Sequence, residues 1–134
     1  MSDANTLRQS GFTDSAVMAL QFLEFDQSED THGTVGWDAL ASPAPAHNTA
    51  LLSEVTRLLD HLHAQHGQPG PLDEGHAWDC DLQVRHEDGA PLDWHWDAQH
   101  VQWSSVPATR LTLSLCLTGD SAFVHTLEQE VIPT

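Results

Sequence analysis

The sequence predicts an α+β two-layer sandwich, a mostly antiparallel five-stranded sheet with two helices on one face, in the order β-α-β-β-β-β-α. Three observations carry this prediction. Leu51, Leu52, Val55, Leu58, Leu59 and Leu62 recur at three- and four-residue spacing, the period of a helix with one apolar stripe. Apolar and polar residues alternate strictly in 78–85, 92–97 and 109–118, the period of strands buried on one side. A second apolar stripe, Phe123, Val124, Leu127 and Val131, follows Asp120, a residue suited to cap a helix. With 134 residues, 40% of them hydrophobic, the chain suits one core, read as a single domain over 15–134. Residues 1–14, where Leu7 and Phe12 fall on no period, read as a flexible arm.

Taken in order, 16–25 is an apolar run, Ala-Val-Met-Ala-Leu-Gln-Phe-Leu-Glu-Phe, expected as a central strand covered on both faces, with a buried helix as the rival. Residues 26–45, rich in Ser, Asp, Gly and Pro, are expected to form a long loop, with one helical turn around Trp37. The helix over 46–66 has Glu54, Arg57, Asp60 and His61 on its polar side and stops at Gly67, before Pro69-Gly70-Pro71. Trp78, Cys80, Leu82 and Val84 then share one face of a strand. Leu92, Trp94 and Trp96 share a face of the next, and a hairpin must bring the two apolar sets together. Pairing Val84 with Leu92 leaves Glu87-Asp88-Gly89 as the turn and sets Asp81 opposite His95, Asp79 opposite Asp97 and Gln83 opposite Asp93. A short strand over 99–104, the alternating strand 109–118 and a helix over 120–131 complete the chain.

Charge excludes whole classes of function. Twenty acidic residues stand against four arginines, with no lysine, for a formal net charge of -16. Arg8, Arg57, Arg85 and Arg110 cannot build the basic surface that nucleic acid or an anionic membrane requires. Even with all ten histidines protonated the chain stays acidic. Lysine and tyrosine chemistry is absent with the residues themselves. Cys80 and Cys116 form no C-x-x-C pair, and the polar, acidic start at Met1-Ser2-Asp3 lacks the basic and apolar pattern of a signal peptide. The expectation is a cytoplasmic protein, by default that of a bacterium, and the lack of Lys beside plentiful Ala, Leu, Asp and His points to a GC-rich genome.

Three functional readings follow from the residues. The first is a non-catalytic binding module whose acids recognise a basic protein partner, with Asp26, Glu29, Asp30, His32, Trp37 and Asp38 of the expected loop as binding residues. The second is a divalent metal, Zn, Mn or Mg, as cofactor on the outer face of the hairpin, held by Asp79, Asp81, Asp93, His95 and Asp97 or by the loop acids with His32. The plain alternative there is a solvated acidic face. The loop acids do not make an EF-hand, because Thr31 stands where that loop needs glycine and Trp37 where it needs a bidentate Glu. The third is a homodimeric small-molecule binder, in which Thr112, Ser114 and Cys116 allow close approach of a second sheet. His61, His63 and His66 suit the negative end of the first helix without any ligand, although His63 and His66 stand one turn apart. Ser114 and Cys116 are weak nucleophile candidates, since no G-x-S-x-G elbow surrounds them.

Overall fold

The computed structural model describes residues 20–29, 31 and 34–131. The expected arm over 1–14 and residues 16–19 of the expected first strand lie outside them, as do Asp30 and His32. The fold is α+β, with antiparallel pairing throughout. Its strands are β1 (Phe25–Glu29), β2 (Val35–Ala41), β3 (Trp78–Arg85), β4 (Trp94–Asp97), β5 (His100–Trp103) and β6 (Thr112–Gly119). The helices are α1 (Asn48–His66) and α2 (Ser121–Thr126), the latter continuing into a wider turn over Leu127–Val131. The expected single sheet is two: four strands in the order β1-β2-β6-β3, and a separate β4-β5 ribbon.

Alternation dictates which side of the large sheet is buried. Trp37 and Ala39 on β2, Leu113, Leu115 and Leu117 on β6, and Trp78, Leu82 and Val84 on β3 all point inward and are buried. Onto them α1 lays its predicted stripe, with Leu51, Val55, Leu58, Leu59 and Leu62 fully enclosed. Asp120 caps α2 by accepting from the Phe123 N–H at 3.0 Å, as expected. Phe123 then stacks on Trp78 with ring centroids 5.4 Å apart. Gly119 makes that stack possible, because a Cβ there would overlap the Phe123 ring. Both helices thereby share one apolar cluster with one face of the sheet.

Four expectations need correction. The long loop over 26–45 is instead the hairpin β1-β2, and the alternation of Val35, Trp37 and Ala39 against Gly36, Asp38 and Leu40 is the strand pattern within it. The apolar run does not extend as a strand through residues 20–24. Its backbone curls around one carboxylate: Gln21, Phe22 and Leu23 all donate their N–H groups to Glu54. Glu54 is therefore not on the solvent side of α1, where the sequence put it, but is 99% enclosed on the shoulder of the apolar stripe.

The fourth correction concerns the β3 hairpin. It begins in the expected register, with the Leu92 N–H donating to the Val84 carbonyl at 2.8 Å and a bridge between Arg85 and Pro91. Beyond Leu92 the chain leaves β3 and pairs with β5, so β6 becomes the neighbour of β3. Helix α1 wins this segment. The Trp103 indole donates to the Thr56 hydroxyl at 2.9 Å, the Asp60 carboxylate accepts from the Val101 N–H at 2.9 Å, and the His63 and Trp96 rings lie 4.9 Å apart. Thr56, Asp60 and His63 follow one another along a flank of α1, which gives the ribbon a continuous ledge.

Candidate functional site: the open face of the sheet

The outer face of the large sheet is built by the residues that alternate with the core. Strand β1 presents Asp26 and Ser28, β2 presents Gly36, Asp38 and Leu40, β6 presents Thr112, Ser114, Cys116 and Thr118, and β3 presents Asp79, Asp81, Gln83 and Arg85. Register aligns them in rows across the strands. Asp26 faces Asp38, Asp38 faces Cys116, and Cys116 faces Asp81, a row of three carboxylates around one thiol. The next row runs Ser28, Gly36, Thr118 and Asp79. Neighbouring strands lie roughly 4.8 Å apart, so the charges repeat at about one or two strand spacings. Asp26, Asp38 and Asp81 are exposed, and Asp79 is half-buried.

Little on this face neutralises the acids. The Ser28 hydroxyl donates to Asp38 at 3.4 Å and the Gln83 amide to Asp81 at 3.5 Å, both long. Asp79 accepts from the Cys80 N–H at 2.9 Å. Arg85, at the far end of β3, turns instead to the Gly89 carbonyl at 3.2 Å. The ion pairs found among the described residues, His61 with Glu130 and His100 with Asp60, lie on the helical side. Like charges on adjacent strands cost roughly 0.2–1 kcal/mol each. Beside the acids the apolar side chain of Leu40 stands 75% exposed.

The thiols add no reactivity. Partial burial pushes the Cys116 thiol up to about 11, helped by its hydrogen bond to Asp38 and by the charges of Asp38, Asp81 and Asp79. Burial pushes Cys80 up to about 12, with Asp79 and Asp81 adding to it. At neutral pH both are therefore protonated and poor nucleophiles. They lie on opposite sides of the sheet, since Cys80 pairs with Leu117 and Cys116 with Asp81, and both are free.

The structure redistributes the residues singled out in the sequence. Asp26 and Asp38, from the expected loop, join Asp79 and Asp81, from the expected metal set, on one surface. Glu29 ends β1 and is exposed on the other side of the alternation. Trp37, expected to line a pocket, is 2% exposed in the core beneath Asp38. Asp93 precedes β4, and His95 and Asp97 occupy its exposed side in the separate ribbon, so the opposition of Asp81 and His95 does not form. Among the described residues no group of three or more His, Cys, Asp or Glu converges as metal ligands do. Leu40, Ser28 and Thr118 belong to the face and were not singled out; the two-residue alternation of 35–41 is the signal that locates Leu40 there.

Comparison of the chain with protein-family models, with curated proteins and with solved structures found no match. The site is thus interpreted from its own chemistry: among the described residues, a sheet face lined by hydroxyls and carboxylates, with the exposed side chain of Leu40 beside them and both thiols protonated. Among the described residues no helix is long and apolar enough to cross a membrane.

Proposed function

We propose that the chain is a non-catalytic binding module whose open sheet face recognises a basic protein partner. The observation that carries this reading is the row Asp26, Asp38, Cys116 and Asp81, three like charges in one line across the sheet with no cation paired to them among the described residues. A surface under no functional demand gains nothing from that repulsion. Lysine or arginine side chains from a partner would relieve it, and Leu40 would supply the apolar contact that a purely electrostatic encounter lacks. Self-association through the same face would oppose two such rows, so a homodimer is disfavoured there.

The test compares wild type with the double variant Asp38→Asn/Asp81→Asn as baits at low and at high salt. A basic protein retained by wild type, released by salt and lost with the variant supports the reading. Equal retention by both baits, or partners with no excess of Lys and Arg, would sink it.

A further inference from the structure

Among the described residues the two edges of the large sheet are treated differently. Along the outer edge of β3 the backbone groups are occupied one after another. The Trp78 carbonyl accepts from the Gly70 N–H at 3.0 Å, the Leu82 carbonyl from the Trp94 indole at 3.2 Å, and the Val84 carbonyl from the Leu92 N–H at 2.8 Å. The Cys80 N–H is taken by Asp79. Such plugging blocks an edge from pairing with another chain. Strand β1 forms the other edge, and among the described residues its only strand neighbour is β2. Asp26, Gln27, Ser28 and Glu29 are exposed. This edge carries neither proline nor lysine, two of the devices that usually blunt one.

What the edge does carry is acid. Asp26 lies on the open face directly beside Asp38, and Glu29 closes the strand on the other side. A second copy of this edge would bring acids against acids. An extended segment with Lys or Arg at alternate positions would instead set its cations over the row that begins at Asp26 and turn its intervening residues toward half-buried Phe25. We infer that β1 accepts a basic strand from the partner, which adds to the sheet by backbone hydrogen bonding and reads the acidic face with every second side chain. This inference rests on the proposed recognition of a basic partner and specifies how that partner is held.

The probe is a synthetic peptide of alternating lysine and valine, blocked at both ends, titrated calorimetrically into the full chain at low salt. Beside it runs the same peptide with its valine nitrogens methylated, which keeps the charge and removes ladder donors. Expected are saturable binding of the first peptide, at least tenfold weaker binding of the second, a similar loss with Asp26→Asn, and slowed amide exchange confined to Phe25–Glu29 and its neighbour β2. Equal binding of the two peptides would overturn strand addition while leaving recognition by charge in place. Absence of binding by either peptide, or a dimer in sedimentation that itself protects the β1 amides, would also overturn it. The salt-dependent capture by wild type and the Asp38→Asn/Asp81→Asn variant decides the broader reading separately.

Discussion

Glu54 shows how much one buried side chain can organise. Its carboxylate takes three consecutive backbone donors, from Gln21, Phe22 and Leu23, and so fixes the entry of the chain onto α1. Removing it leaves the N–H of buried Leu23, 4% exposed, and that of half-buried Phe22 without their acceptor, while exposed Gln21 can turn to water. Glu54→Ala is expected to cost about 3 kcal/mol, and Glu54→Gln, which keeps one acceptor oxygen, roughly half as much, as read from urea denaturation midpoints. A variant as stable as wild type would show that the 20–24 segment is held by something else. His66 acts in the opposite sense on the acid side. Burial lowers the affinity of its imidazole for a proton, outweighing the raising influence of Asp120 and Glu130, while His61 adds to the lowering. The ring bonds the Thr126 hydroxyl at 3.0 Å and meets the edge of Phe123 at 5.3 Å. Because the unfolded chain binds this proton more readily, stability falls as pH drops below about 6.5, the ordinary histidine value. His66→Gln should flatten the decline that begins below about pH 6.5, measured by thermal melts at successively lower pH.

At the scale of elements, the β4-β5 ribbon stands apart from the large sheet and is held from its side by α1. It has four residues per strand, too few to be stable alone, and it stays in place because α1 offers Thr56, Asp60 and His63 along one flank. Asp60 also bonds the His100 ring at 3.1 Å, so one carboxylate anchors both the backbone and a side chain of β5. Asp60→Ala is expected to cost about 1–2 kcal/mol. Its clearest signature is local: amides of Trp94–Asp97 and His100–Trp103 exchange faster while those of β2 and β6 do not. Uniform acceleration across all strands would mean that the ribbon and the large sheet open together. The same element contributes to the blocked edge of β3, since the Trp94 indole donates to the Leu82 carbonyl at 3.2 Å.

At the scale of the whole molecule, the described residues form a sandwich with helices on one face of the large sheet and acids on the other. One face of the sheet is sealed by two helices, and the other holds acids in rows with a surplus of negative charge around it. Self-repulsion of that kind is screened by salt, so the melting temperature should rise from low to physiological ionic strength. Asp38→Asn and Asp81→Asn should each raise stability by roughly 0.2–1 kcal/mol at low salt, with the gain shrinking as salt is added. A substitution that stabilises the chain while weakening partner binding is the mark of a site kept for function rather than for folding. Destabilisation by either change would show that these carboxylates hold the sheet together instead.

Periodicity made α1, β3, β6 and the cap of α2 legible, because each buries one stripe or one face and the period follows from backbone geometry alone. The excess of acid was equally plain. Tertiary contact decided the rest. Glycine and proline made 26–45 look like a loop, yet β2 became an inner strand because Trp37 and Ala39 could be buried against α1 and β6. Leu92, Trp94 and Trp96 matched β3 in pattern, but the bonds that Thr56 and Asp60 offered drew the strand toward α1, and β6 took its place. Which acids stand together depends on that strand order. Asp38 and Asp81 lie 43 residues apart in the chain, and only the insertion of β6 between β2 and β3 sets them on either side of Cys116. A period tells which way a side chain points; its neighbour on the next strand is set by the competition among all the surfaces that strand could cover.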